Sequence, residues 1–97
     1  MTPARPGDWW VSDAGAPYLV MGVGFCSRGR GASVEAVTVT GHARPQVARV
    51  HMYPPIWRAI TERGRRLDGP PTVNSKGIPI PGEVARALEM LEDSDNV

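Results

Sequence analysis

The chain is poor in the residues that carry disulfide, metal or nucleophilic chemistry: it has one cysteine, Cys26, and two histidines, His42 and His51. A lone cysteine forms no intramolecular disulfide, so no disulfide framework is expected to support the fold. Neither histidine has a cysteine, histidine or glutamate at the usual metal-ligand spacing. Cys26 belongs to no motif that pairs a cysteine nucleophile with a histidine. The sequence therefore predicts no catalytic residue, no metal site and no cofactor.

Long apolar runs are also missing. No segment approaches the roughly 18 apolar residues of a membrane-spanning helix. The N-terminal segment, MTPARPGDWW, lacks the apolar stretch of a signal peptide. We therefore expect a cytoplasmic protein with no membrane partner.

What the chain does have is turn chemistry. Its 97 residues include 11 glycines and 10 prolines. This length predicts a single domain, residues 1–97, with a modest core. The many glycines and prolines favour short elements joined by turns, which suits a β-rich fold better than a helical bundle.

Four segments have the pattern of strands. Residues 8–11, DWWV, form a short aromatic run that predicts an edge strand or first strand. Residues 18–25 alternate, which predicts one core face of Leu19, Met21, Val23 and Phe25. Residues 33–40 are rich in valine and threonine, and residues 46–52 alternate again. A glycine-rich turn, residues 27–32, joins the second and third segments into a hairpin.

The second half is less regular until its end. Residues 56–63 fit either a short helix or a strand, and residues 64–77 are polar and broken by Gly69-Pro70-Pro71, which predicts a loop. Residues 81–92 predict an amphipathic helix. Its apolar stripe has helical spacing and consists of Val84, Ala87, Leu88 and Leu91.

These elements predict a mainly β fold with a C-terminal helix, of the α+β class. Within the β-rich part, residues 7–60, the run Gly7-Asp8-Trp9-Trp10 is followed by Gly15-Ala16-Pro17-Tyr18-Leu19-Val20-Met21-Gly22-Val23. This arrangement resembles small SH3-like barrel proteins of unknown function from bacteria and phages. The resemblance implies an SH3-like barrel, with a curled antiparallel sheet as the alternative, and a phage or bacterial origin. It transfers no catalytic residues.

Charge is unevenly distributed along the chain. Residues 28–76 hold nine basic and three acidic side chains, whereas residues 77–97 hold one basic and five acidic. The basic part predicts binding through arginine, which makes bidentate contacts with phosphate and carboxylate groups. The candidates are Arg28 and Arg30 in the hairpin turn, Arg49, and the cluster Arg63, Arg65 and Arg66. Neutralisation of this region by the acidic C-terminal helix is the alternative.

Aromatic side chains provide the second set of binding candidates. Adjacent residues of a strand point to opposite faces, so one of Trp9 and Trp10 is expected in the core. The other either covers the open end of a small barrel or lies exposed at the surface. An exposed tryptophan, or Tyr53, would anchor a protein partner or stack on a base.

Together these features predict a non-catalytic binding module. The first hypothesis is a small protein-interaction protein, acting as an adaptor, a modulator or an inhibitor. The alternative is a nucleic-acid-binding module that uses the arginine-rich hairpin turn and the basic cluster. Open sheet edges and spare aromatics also predict that the chain associates with copies of itself.

Overall fold

A five-stranded antiparallel sheet forms the centre of the protein in the computed structural model, which describes residues 4–25 and 32–94. Helices lie on both faces of this sheet. In chain order the elements are β1 (Trp9–Val11), β2 (Pro17–Phe25), β3 (Ala32–Val39), β4 (Val47–Met52), α1 (Pro54–Arg63), β5 (Arg65–Leu67) and α2 (Gly82–Ser94).

The strands lie in the order β4-β3-β2-β1-β5, so β4 and β5 are the two edges and the sheet does not close into a barrel. The expected mainly β fold with an antiparallel sheet is confirmed, and a closed barrel is not observed. The short strand β1 is an inner strand, because β5 pairs with its far side. The prediction of a loop over residues 64–77 is wrong for β5, whose pairing partner is distant in the sequence.

Helix α1 crosses one face of the sheet from edge to edge. It connects β4 at one edge with β5 at the other, and it contacts β4, β3, β1 and β5. A helix of 10 residues is about 15 Å long, and four strand spacings amount to about 19 Å. The length of α1 therefore matches the width of the sheet that it spans.

The ends of α1 explain why residues 54–63 become a helix. Pro54 and Pro55 occupy its first turn, where a missing N–H costs nothing. At the other end, the N–H of Gly64 donates to the carbonyl of Ile60, 2.8 Å away. A Cβ atom on Gly64 would lie only 2.0 Å from the Val11 carbonyl oxygen. Glycine therefore lets the chain turn from α1 directly against β1.

Each face of the sheet carries its own hydrophobic cluster. On the α1 face, Trp57 and Ile60 pack on strand residues; the buried members are Trp10, Val20, Val34, Ala36, Met52, Trp57 and Ile60. On the opposite face α2 does the same; the buried members are Trp9, Leu19, Val37, Val39, Val84 and Leu88. The predicted C-terminal helix is confirmed, with Val84 and Leu88 as its buried residues.

A β-bulge interrupts the alternation of β2. Val20 pairs with Ala36, but Gly22 already pairs with Glu35, so Met21 is the extra residue. Beyond the bulge the side chains change face, and Val23 pairs with Val34 on the α1 face. The predicted single core face of β2 is therefore wrong. Leu19 and Val20 are both fully buried, on opposite faces, whereas Val23 is 48 % exposed.

The connection between β5 and α2 is held to the β3–β4 loop by one buried side chain, Asn74. Its Nδ2 donates to the carbonyls of Thr40 and His42, at 3.0 and 3.3 Å. Its Oδ1 accepts from the N–H groups of Lys76 and Ile78, at 2.9 and 3.0 Å. Asn74 is 2 % exposed, and these bonds satisfy the amide at both ends.

Candidate functional site

Neither predicted tryptophan anchor is at the surface. Trp9 is 3 % and Trp10 6 % exposed. The two rings do point to opposite faces, as expected for adjacent strand residues, but both faces are covered by helices. Trp10 meets Trp57 edge to face, with ring centroids 5.5 Å apart. Trp9 donates through Nε1 to Glu92 of α2. Of the two alternatives for the second tryptophan, exposure at the surface is wrong, and the sheet forms no closed barrel whose end it could cover.

Three exposed apolar side chains lie at one end of the sheet, Val23 and Ile56 on the α1 side and Tyr53 beside His51 on the α2 side. Five large apolar residues are exposed among those whose burial the structure describes, and Val23, Tyr53 and Ile56 are three of them. Val23 pairs with Val34, which pairs with Met52, so these residues form one row across three strands. Tyr53 follows Met52 directly, and Ile56 lies in the first turn of α1. We call Val23, Tyr53 and Ile56 the apolar end surface.

Of this surface, the sequence pattern identifies only Tyr53. Alternation predicts that Val23 lies in the core on the same face as Leu19. The bulge at Met21 turns Val23 to the other face, where it is half exposed. Gly22 and Gly24 carry no side chains that would reveal the change of face. Ile56 lies just after two prolines, and its exposure follows from the helical spacing that buries Trp57 and Ile60 instead.

A polar pair lies beside this surface on the α2 face. His51 of β4 and Glu35 of β3 are directly opposite each other in register, and the His51 Nδ1 contacts the Glu35 carboxylate. The His51 ring also packs edge to face against Tyr53, with centroids 5.0 Å apart. Both side chains of the polar pair are substantially exposed. Their contacts orient Tyr53 at the rim of the sheet.

The residues that the structure describes contain no group of three histidine, cysteine or carboxylate side chains that could hold a metal ion. Cys26, the only thiol, lies outside the described residues, as do the predicted binding residues Arg28 and Arg30. In the sequence these three residues belong to the connection between β2 and β3.

The remaining arginine candidates do not form one patch. Arg49 lies on β4, at one edge of the sheet, and Arg65 and Arg66 lie on β5, at the other. The two edges are about 19 Å apart across the strands. Arg63 ends α1 and completes the β5 group. We call Arg63, Arg65 and Arg66 the basic edge.

The basic edge is exposed to solvent. In the described part of the chain its arginines make no ion pair, with Glu62 or with any other carboxylate. The acidic helix α2 packs on the sheet face opposite α1, and its described residues form no ion pair with Arg63, Arg65 or Arg66. Within residues 4–25 and 32–94, neutralisation of this cluster by the molecule itself is therefore not observed.

Two shallow cavities flank the segment 67–70, next to the basic edge. One, of about 330 Å³, is lined by Arg65 and by Val11 and Pro17 of the neighbouring strands. The other, of about 370 Å³, is lined by Arg66 together with Trp9 and Glu92. Arginine thus contributes to the wall of both cavities.

Comparison of the chain with protein-family models, with curated proteins and with solved structures finds no match. Neither of the two helices in the described residues is long and apolar enough to cross a membrane. The candidate sites therefore rest on the geometry of the chain itself.

Proposed function

We propose that this protein is a non-catalytic binding module that contacts a protein partner through the apolar end surface. The observation that supports this proposal most directly is the exposure of Val23, Tyr53 and Ile56, at 48, 43 and 47 %, at the same end of the sheet. Single exposed apolar residues are common on soluble proteins, but a group of them at one place is typical of an interaction site.

The chemistry of the surface fits a protein partner. Tyr53 presents a ring that is held by His51, and a rigid aromatic side chain loses little entropy when it is buried at an interface. The polar pair of His51 and Glu35 lies at the rim, where hydrogen-bonding groups surround an apolar centre in typical interfaces. We infer an adaptor, a modulator or an inhibitor, and the relationship of residues 7–60 to SH3-like proteins stays a prediction.

The test compares capture by three forms of the immobilised protein from a lysate of the native host. The forms are the wild type, the double variant Tyr53→Ser/Ile56→Ser, and the control variant Met90→Ser. Met90 is 73 % exposed and lies on α2, an element that carries no residue of the apolar end surface. Urea unfolding of each form verifies that the variants are folded.

We expect a protein that the wild type and Met90→Ser retain equally and that the double variant fails to retain. Treatment of the lysate with nuclease should leave this capture unchanged. Equal retention by all three forms would contradict the assignment of the surface. Absence of any retained protein, or disappearance of the capture after nuclease treatment, would contradict a protein partner.

A second candidate function, nucleic-acid binding, is favoured by the basic edge. Its three arginines have no internal ion pair within the described residues, so they are available to contact phosphate groups. Binding of a labelled single-stranded or double-stranded oligonucleotide should then weaken steeply with salt. The triple variant Arg63→Gln/Arg65→Gln/Arg66→Gln should lower the salt slope by about one for each arginine that binds a phosphate in the wild type.

Arg86→Gln is the matched control for this second candidate, because Arg86 is an exposed arginine on α2 and does not belong to the basic edge. Its salt slope should equal that of the wild type. No binding at low salt, or equal effects of the two variants, would refute nucleic-acid binding through the basic edge.

A further inference from the structure

The two edges of the sheet differ in how they are protected. Strand β5 is three residues long, carries two arginines and is followed by the sequence Asp68-Gly69-Pro70-Pro71. A short, charged strand next to prolines is a poor template for further pairing. Strand β4 is six residues long, contains no proline and has no neighbouring strand on its outer side among the described residues.

The hydrogen-bond pattern shows which groups of β4 point outward. The N–H of Thr40 donates to the carbonyl of Gln46 at 2.8 Å, so this pair is hydrogen-bonded. Hydrogen-bonded pairs alternate along an antiparallel ladder. Ala48, Val50 and Met52 therefore bond to β3. The N–H and C=O groups of the intervening residues face away from the sheet; these are Val47, Arg49 and His51.

We infer that the outer edge of β4 pairs antiparallel with the same edge of a second copy of this chain, which joins two sheets into one ten-stranded sheet. An edge of this kind is self-complementary under two-fold symmetry, because each copy offers the same row of donors and acceptors. This inference does not rest on the proposed function, which concerns the apolar end surface. The two share the polar pair of His51 and Glu35 at their border, and each has its own measurement.

Charge selects the register of the pairing. If Arg49 lay opposite Arg49 of the second copy, two like charges would meet directly, which destabilises a strand pair. Moving the two-fold axis by one residue toward the C-terminal end of β4 places Val50 opposite Val50 of the second copy, on the α1 face. On the α2 face, Arg49 then lies opposite His51 of the second copy, beside the carboxylate of Glu35.

Arg49 is suited to this contact. Its side chain is exposed, and it makes no ion pair within residues 4–25 and 32–94. Glu35 and His51 are held together on the adjacent strand pair, so they present a fixed acceptor for the guanidinium group. Because the dimer is two-fold symmetric, this contact forms twice.

The first measurement uses the wild-type protein and needs no variant. We expect a species of twice the 10.5 kDa mass of the chain by light scattering at high concentration. In that species, amide hydrogen exchange followed by NMR should show slow exchange for Arg49 and His51, which lie opposite each other in this register. Dilution to the monomer should make these two amides fast, while those of Ala48, Val50 and Met52 remain protected in both states.

The second measurement tests the register. Arg49→Glu should weaken the dimer about ten-fold, since each copy contributes one altered contact. The exchanged pair Glu35→Arg/Arg49→Glu should restore most of the affinity. Arg58→Glu, the same charge change on an exposed residue of α1, should leave the dimer intact.

Three outcomes would overturn the inference. A monomer at all concentrations with fast exchange at residues 49 and 51 shows an edge that stays unpaired. A dimer in which these amides exchange fast uses another surface. A monomer in which they are protected shows an edge that the chain itself covers.

Discussion

Asn74 donates a hydrogen bond from its side-chain amide to the backbone carbonyl of Thr40, 3.0 Å away, and so joins two loops that are distant in the sequence. The same side chain bonds to three further backbone groups, and it is almost completely buried. One residue therefore satisfies polar backbone groups of both loops that would otherwise be left without partners.

Replacement of Asn74 by alanine should lower the free energy of unfolding by about 2–4 kcal/mol, because several backbone groups would be deprived of their partners at once. Urea unfolding measures this change. Gln46→Ala is the control, since the Gln46 side chain is exposed and forms no hydrogen bond in the described residues. A cost for Asn74→Ala no larger than that of the control would contradict its role as the link between the loops.

Gly64→Ala should cost about 3 kcal/mol or more, because the new Cβ atom would clash with the carbonyl oxygens of Val11 and Ile60, at 2.0 and 2.7 Å. Backbone atoms cannot move aside as a flexible side chain can. Gly82→Ala is the matched control: nothing lies within 4 Å of its Cβ position. Alanine at that helical position should be neutral or stabilising by up to about 1 kcal/mol. Equal melting temperatures of the two variants would refute the close approach at Gly64.

Because of the bulge in β2, Leu19 and Val23, which alternation places on one core face, differ in burial and should differ in their contribution to stability. Leu19→Ala removes a fully buried side chain and should cost about 2–5 kcal/mol. Val23→Ala removes a half-exposed side chain beyond the bulge and should cost less than about 1 kcal/mol. Chemical denaturation of both variants decides between the structure and uninterrupted alternation, which predicts a large cost at both positions.

The basic edge should contribute almost nothing to stability. Arg63, Arg65 and Arg66 are exposed and make no ion pair in the described part of the chain. The triple glutamine variant should therefore unfold within about 0.5 kcal/mol of the wild type. A larger destabilisation, measured by urea unfolding, would indicate that these arginines serve the fold.

The sequence predicts those elements whose own residues show the alternation of a strand or the spacing of an amphipathic helix. The alternation of residues 18–25 and 46–52 identifies β2 and β4, and the spacing of Val84, Leu88 and Leu91 identifies α2. Strand β5 carries no such signal. Its sequence, Arg-Arg-Leu, becomes a strand only because β1 offers a free edge, with Leu67 opposite Trp9.

The candidate site is less predictable than the fold, because the exposure of its residues depends on contacts with segments that are distant in the sequence. Burial of both Trp9 and Trp10 requires a helix on each face, and no pattern within residues 8–11 reports how many faces are covered. The exposure of Val23 depends on a bulge in a segment that includes two glycines. Tyr53 is identifiable because it follows a strand and precedes two prolines, which is a local feature.

A single peptide bond separates Trp9 from Trp10, yet their side chains belong to two hydrophobic clusters that share no residue. The hydrogen-bonded backbone of the sheet lies between these clusters. A cavity made on one side is therefore walled off from the other, and the energetic costs of Ile60→Ala and Leu88→Ala should simply add. The two clusters are separate packing layers on one shared backbone, so a substitution in one layer should leave the side-chain packing of the other unchanged.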